Sequence, residues 1–153
     1  MTYEELLFHS DNEGITVKEK NILGSNGRIK GKRIAIRSAL PNTEKSCVLA
    51  EELGHYYTTV GNILDQSTVG NRKQELRARL WAYNCQIGLR GIIKAFDRNC
   101  KNTHEMAEYL DVTEEFLKEA ITAYRNKYGI CAEFDNYIIF FEPHLAVLKK
   151  VSD

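Results

Sequence analysis

The chain has 153 residues, of which 43% are hydrophobic, so it is long enough for one substantial core and too short for two large domains. Its 21 lysine and arginine residues balance 21 aspartate and glutamate residues, which excludes the strongly basic character of a dedicated nucleic-acid-binding protein. We therefore expect a protein or a small molecule as its partner.

The start of the chain and its cysteines indicate an intracellular protein. The first residues are partly acidic and contain no basic start followed by a long apolar run, so we expect no signal peptide, no membrane span and a cytoplasmic location. The four cysteines form no C-x-x-C pair, which excludes that type of zinc site and favours reduced thiols: Cys47, Cys85, Cys100 and Cys131.

The opening third predicts a helix followed by a small sheet. Apolar residues at helical spacing predict a helix from Tyr3 to about Asn12, and residues 15–18 begin a strand. Residues 28–37 predict a hairpin whose second strand directs Ile34 and Ile36 inward. A small sheet with one solvated face follows from this pattern.

A long helix is predicted next, from about Thr43 to residue 60. Asn42 or Thr43 is expected to cap its first turn, and Gly61 to end it. One of its faces is apolar. The opposite face carries a stripe that begins at Val48 and contains two carboxylates and an imidazole, which we call the polar stripe: Glu51, Glu52 and His55. Gly54 within the helix predicts the close approach of another backbone.

The polar stripe is close to a zinc-peptidase motif. In an H-E-x-x-H helix two histidines bind the metal and the glutamate acts as general base. Here Glu51 stands at the first ligand position, Glu52 at the base position and His55 at the second ligand position. Burial of this stripe would cost several kcal/mol unless a cation neutralised it.

A second helix supplies a candidate third ligand. It is predicted over residues 71–83, where Glu75 shares one face with Ala78 and Ala82. Small residues on that face permit a close approach to the motif helix, which could bring Glu75 to the metal and leave one position for water.

These carboxylates also have a simpler interpretation. The stripe on the first helix could be exposed to water, since so short a string recurs by chance. Glu75 alone could be a solvated ion-pair partner of Arg72 or Arg79 on its own helix.

The final third predicts two helices and a hairpin. The helices, over residues 103–110 and 114–128, are separated by a turn and resemble a helix-turn-helix unit. Strands over residues 130–134 and 137–141 form the hairpin. Three glutamates near the start of the second helix argue against DNA contact and favour a structural or partner-docking role: Glu114, Glu115 and Glu119. His9, His104 and His144 are isolated, and we interpret them as surface or capping residues.

The motif and its surroundings resemble a known family. Residues 45–58, followed by Glu75-Leu76-Arg77-Ala78 and by Trp81-Ala82, are similar to the ImmA/IrrE metallopeptidases of phages, integrative elements and their bacterial hosts. The resemblance covers nearly the whole chain. It implies an α+β fold: a mainly helical zincin-like core with a small antiparallel sheet over residues 1–100, and a helix-turn-helix-like unit with a hairpin, packed on that core, over residues 101–153.

The resemblance also implies a function and a site. Family members typically cleave or inactivate a helix-turn-helix repressor, so we expect a metal-dependent endopeptidase that acts on such a protein. The implied general base is Glu52, and the implied metal ligands are Glu51, His55 and Glu75.

Two further features could contact a substrate. Tyr56 or Tyr57 could donate a hydrogen bond to a developing oxyanion, although tyrosines on a buried helix more often pack. The strand over residues 33–37 could offer an edge to an extended peptide.

Glu51 departs from the commoner family pattern, in which a histidine stands at this position. Two carboxylates and a neutral imidazole cancel the charge of a divalent metal, so water bound there should be less acidic. Zinc is the expected metal, and the oxygen-rich ligand set also admits manganese or iron. Because Glu52 and His55 lie three positions apart on the same stripe, either glutamate could face the metal.

Two other functions remain as alternatives. One is a peptidase fold with a weak or inactive site that antagonises a repressor by binding it. The other is a carboxylate-bridged two-metal protein, since Glu52-Leu53-Gly54-His55 matches an E-x-x-H element. That class requires two such elements, and the other histidines have no glutamate three residues before them, so we set it aside.

Overall fold

The computed structural model describes residues 1–59 and 68–151, with side chains from residue 71 onward in the second range. This part of the chain divides into two compact units, Met1–Cys85 and Gln86–Asp153. The predicted domain boundary at residue 100 stays a prediction. None of the described helices is both long enough and apolar enough to cross a membrane.

The first unit contains three helices and three strands: α1 (Tyr3–Asn12), β1 (Thr16–Lys20), β2 (Gly27–Lys30), β3 (Arg33–Arg37), α2 (Asn42–Thr58) and α3 (Thr68–Gln86). The predicted bounds of α1 are confirmed. A capping box fixes its start, because Thr2 Oγ1 accepts from the Glu5 N–H at 3.2 Å and a Glu5 carboxylate oxygen accepts from the Thr2 N–H at 2.9 Å.

The sheet of this unit has the order β1-β3-β2 and is mixed. Strand β3 pairs antiparallel with β2, which confirms the predicted hairpin, but it pairs parallel with β1, so the expected antiparallel sheet is only partly correct. Ile34 and Ile36 are 2% and 0% exposed, which confirms their inward direction. The expectation that residues 33–37 form an edge is also wrong, because β3 has a partner on both sides and β2 lies at the edge.

Helix α2 begins one residue earlier than predicted, at Asn42. Pro41 occupies the N-cap position and makes no side-chain capping bond, so the predicted cap by Asn42 or Thr43 is wrong. Proline suits a helix start because its missing N–H removes a donor that would lack a partner there. The helix ends at Thr58, and Gly61 lies outside the described residues.

Helices α2 and α3 approach each other closely at Gly54. A methyl group built there would overlap the backbone carbonyl oxygen of Ala78 and lie 3.0 Å from its carbonyl carbon. Ala78 and Ala82 are 1% and 0% exposed, so small residues form the contact on α3. The close approach predicted from Gly54, Ala78 and Ala82 is therefore confirmed, and it determines how near the side chains of the two helices can come.

The second unit contains α4 (Gly88–Asp97), α5 (Thr103–Leu110), α6 (Glu114–Tyr128), β4 (Cys131–Phe134), β5 (Tyr137–Phe140) and β6 (Ala146–Lys149). Helices α5 and α6 match the two predicted helices. Asp111 turns the chain between them in the left-handed conformation at φ 55°, and Thr113 caps α6 by accepting from the Phe116 N–H at 3.1 Å.

The second unit also contains two elements that the sequence pattern did not predict. Helix α4 buries Ile92, Ile93 and Ala95. Strand β6 pairs antiparallel with β5, so the predicted hairpin is part of a three-stranded sheet of order β4-β5-β6. The helix-turn-helix character of this unit remains a prediction.

Candidate active site

A cleft of about 1050 Å³ opens in the first unit between the β2–β3 hairpin, α2 and the start of α3. Three of the four predicted site residues line it: Glu52, His55 and Glu75. The fourth, Glu51, is not among the described residues of the lining. The rest of the described lining is Gly27, Arg28, Ile29, Gly31, Lys32, Tyr56, Thr59, Asn71, Arg72, Gln74, Leu76 and Arg79.

His55 and Glu75 face each other across the contact between α2 and α3. His55 Nε2 lies 3.4 Å from Glu75 Oε2. This separation is long for a hydrogen bond. Zinc–ligand bonds of about 2.0–2.2 Å in tetrahedral geometry place two ligand atoms roughly 3.3–3.6 Å apart. The separation of these two atoms is thus compatible with shared ligation of one metal ion as well as with a weak ion pair.

The backbone contact at Gly54 accounts for this spacing. His55 follows Gly54 on α2, and Glu75 lies one turn before Ala78 on α3. Because no side chain separates the helices at Gly54, the side chains of residues next to this contact can reach each other across the two helices. The observed pair is thus a consequence of the small residues that the sequence places there.

Glu75 also makes the ion pair that its sequence neighbours suggested. Its Oε1 lies 3.0 Å from Arg79 Nε, four residues along the same helix. The two interpretations of Glu75 are therefore compatible, because one carboxylate oxygen faces Arg79 and the other faces His55. Such a contact orients the carboxylate.

Glu52 lies in an environment that disfavours its charge. Burial raises the pKa of its carboxyl group to about 7, and the negative charges of Glu51 and Glu75 contribute to the increase. Strand β2 passes close to it, since a methyl group at Gly27 would lie 3.1 Å from Glu52 Oε1. A cation bound here would relieve this accumulation of negative charge, so the chemistry of the cleft fits a metal ion.

The predicted ligand set is only partly assembled. Within residues 1–59 and 68–151, no group of three histidine, cysteine, aspartate or glutamate side chains is arranged to hold a metal. His55 and Glu75 come together, whereas Glu51 does not complete a group with them. Glu51 nonetheless lies near enough for its charge to act on Glu52 and on Arg79. Its role as a ligand stays a prediction.

An aromatic cluster behind the cleft connects α1, α2 and α3. His9 Nε2 lies 2.8 Å from the Tyr57 hydroxyl oxygen, and the Tyr57 ring stacks on Trp81 with centroids 5.0 Å apart and planes at 28°. Tyr56 lines the cleft and meets Tyr57 edge to face at 5.1 Å. Burial is the main cause that raises the pKa of Tyr57. Tyr57 is therefore a packing residue, and His9 is its partner rather than an isolated surface residue.

Comparison with known proteins identifies the family of the chain. The model of the IrrE N-terminal-like domain family, Peptidase_M78, matches residues 10–122, which is well over half of the chain. No curated protein and no solved structure gives a significant match. The match supports a metallopeptidase-type fold, and membership of such a family implies a metal cofactor. The chain therefore belongs to the IrrE N-terminal-like (Peptidase_M78) family, which confirms the expected ImmA/IrrE membership.

Proposed function

We propose that this protein is a cytoplasmic, metal-dependent endopeptidase that cleaves or inactivates a helix-turn-helix repressor of a phage or mobile element. The observation that carries this proposal is the 3.4 Å separation of His55 Nε2 and Glu75 Oε2 in a cleft that also exposes Glu52. Family membership supports the class of reaction, and the repressor substrate is inferred from the family resemblance.

Each polar residue of the cleft has a proposed role. His55 and Glu75, with Glu51 as the third ligand, would hold zinc, or alternatively manganese or iron. The metal supplies Lewis acidity, which polarises the scissile carbonyl and acidifies the attacking water. Glu52 accepts a proton from that water and returns it to the leaving amine, for which a pKa raised by burial is suitable.

The substrate would bind in extended form along β2. The backbone carbonyl oxygen of Asn26, just before β2, accepts a hydrogen bond from the Arg37 N–H at 2.8 Å. Asn26 and Arg37 are therefore a hydrogen-bonded pair of the antiparallel β2–β3 ladder. Because such pairs alternate, the backbone groups of Arg28 also face β3, whereas those of Gly27 and Ile29 point away from it. In the described part of the chain no strand covers that side of β2, so a peptide can pair with it.

Gly27 would bring a peptide bound along β2 close to the proposed general base. It lines the cleft and lies directly against Glu52, so a peptide paired with its backbone would pass beside the proposed base. In this proposal β2, rather than the strand over residues 33–37, is the edge that binds the substrate.

The proposal is tested with metal analysis and a matched pair of proteins. The purified protein should bind one divalent metal, and it should cleave the repressor encoded beside its gene. Glu52→Gln should keep the metal, because this residue is not a proposed ligand, and should lose cleavage. A protein that binds no stoichiometric metal after incubation with zinc, manganese or iron would refute the proposal.

A binding module without peptidase activity is the second candidate. The observation that favours it is the incomplete three-ligand group in the described part of the cleft. It predicts that Glu52→Gln antagonises the repressor as well as the unmodified protein does. Equal antagonism by the two proteins, without any cut product, would support the binding module over the peptidase.

A further inference from the structure

The lining of the cleft is richer in positive charge than the chain as a whole. Positive and negative residues balance over the full sequence, with 21 of each. The described residues that line it include four cationic residues and two carboxylates: Arg28, Lys32, Arg72 and Arg79, and Glu52 and Glu75. A bound divalent metal would increase this excess. These cationic residues attract negatively charged partners, whereas the carboxylates of Glu51, Glu52 and Glu75 attract a cation.

Arg28 is the cationic side chain that the structure orients best for such a partner. Its Nη2 donates to the Leu23 carbonyl oxygen at 2.9 Å, and its Nε donates to Ser25 Oγ at 3.3 Å. Both acceptors are neutral, so these bonds orient the exposed guanidinium without cancelling its charge. Arg79 differs, because its charge is already paired with Glu75.

The register of the sheet relates Arg28 to a bound peptide. A strand added to β2 would form hydrogen bonds with Gly27 and Ile29, so one of its residues would lie opposite Arg28. Directly opposite residues of neighbouring strands project their side chains from the same face, and opposite charges in such pairs are favourable. Lys32, which follows the strand, and Arg72 on α3 also line the cleft.

From these contacts we propose that the β2 edge of the cleft selects extended peptide segments that carry an aspartate or glutamate opposite Arg28, on the face of the sheet turned away from α2. This inference rests on the proposed binding of substrate along β2, and it names the substrate class of that site. It does not depend on whether the bound segment is subsequently cut.

Two pools of short fluorescein-labelled peptides provide the test. Both pools are randomised over the same neutral residues, and they differ only at one central position, which is Asp in one pool and Asn in the other. Fluorescence anisotropy measures binding to the full-length, zinc-loaded protein, and mass spectrometry shows whether the peptides stay intact. We expect the Asp pool to bind about two- to fivefold more tightly, as one partly exposed ion pair would produce.

Three variants test whether Arg28 causes the preference for the Asp pool. Arg28→Gln should abolish most of the preference, whereas Arg28→Lys should keep it because the charge remains. Lys18→Gln is the matched control: Lys18 and Arg28 both pair with Ala35, so they lie in one row on one face, but Lys18 is on the opposite edge of the sheet. It should keep the full preference. High sodium chloride should reduce the preference of the unmodified protein.

The outcomes separate this inference from the proposed function. Tighter binding of the Asp pool with no cut peptide would uphold the inference, and the repressor-cleavage and metal-binding tests would then decide the peptidase separately. Cleavage of both pools, bound with equal affinity, would support the peptidase and overturn the inference about Arg28. Equal binding, an Asp preference that survives Arg28→Gln, or no binding of either pool up to its solubility limit would overturn the inference.

Discussion

Replacing Gly54 with alanine should disturb both the stability of the first unit and the spacing of the proposed metal ligands. The added methyl group would overlap the Ala78 carbonyl oxygen and lie 3.0 Å from the carbonyl carbon and 3.3 Å from the Cα atom. Backbone atoms of a packed helix cannot rotate away as a side-chain end does, so α3 must move outward by about 1 Å to restore ordinary contacts.

The magnitude follows from two opposing effects. Overpacking costs about 1–3 kcal/mol, with the upper part of the range expected against a backbone. Alanine gains about 1 kcal/mol over glycine inside a helix. The free energy of unfolding should therefore fall by about 1–2 kcal/mol, which lowers the Tm by roughly 2–8 °C for a chain of this size.

Thermal unfolding with and without added zinc measures both effects. The unmodified protein should gain stability from zinc, and Gly54→Ala should gain less, because His55 and Glu75 would no longer be 3.4 Å apart. Gly91→Ala in α4 is the control: its methyl group would meet the flexible end of Leu110 at 3.2 Å, so we expect little change. A Gly54→Ala protein that is as stable as the original and has an unchanged zinc effect would refute the reasoning.

Further predictions concern an ion pair and the strand beside Glu52. Lys45 is 8% exposed and its Nζ lies 2.5 Å from Glu19 Oε1, so Lys45→Met should lower the free energy of unfolding by about 1–2 kcal/mol in denaturant titrations at neutral pH. The hydrogen bond from Lys45 lowers the pKa of Glu19. The stabilisation from this ion pair is therefore present above the unfolded pKa of about 4.3 and is lost as the pH falls through the lower folded pKa. A Lys45→Met effect that persists in acid would contradict this cause. In Gly27→Ala the new methyl group would lie 2.6 Å from Val48 Cγ1 and 3.1 Å from Glu52 Oε1, so we expect about a tenfold or greater loss of kcat with retained metal, measured by cleavage rate and elemental analysis. Unchanged kcat in that variant would show that the position of Glu52 next to β2 does not matter.

The sequence predicted the features that depend on local patterns. The bounds of α1 follow from its apolar spacing, and both helices of the motif were found by their periodicity. The close contact of α2 and α3 was also predictable, because a glycine inside a helix and alanines on one face of its neighbour are typical of two helices whose backbones touch. From this contact the meeting of His55 and Glu75 followed.

Features that depend on pairing between distant segments were not predictable. Alternation in residues 28–37 indicates two strands but does not show that β1 pairs parallel with β3, and this pairing decides that β2 is the edge. The contact of His9 with Tyr57 joins residues far apart in the chain, and a single histidine on α1 carries no signal for it. The same limit applies to Glu51: its place in an E-E-x-x-H string cannot show which carboxylate faces the cleft, and in the structure Glu52 lines it.

The stack of Tyr57 on Trp81 gives the protein its own optical probe. Trp81 is the only tryptophan in the chain, and it lies on the same helix as Glu75, while Tyr57 lies on the same helix as His55. Indole emission responds to the distance and angle of a neighbouring ring, so any movement of α3 against α2 should change the fluorescence of this one residue. Titration with zinc could thus be followed without a label, and the signal would report on the spacing of the two helices that carry the proposed ligands.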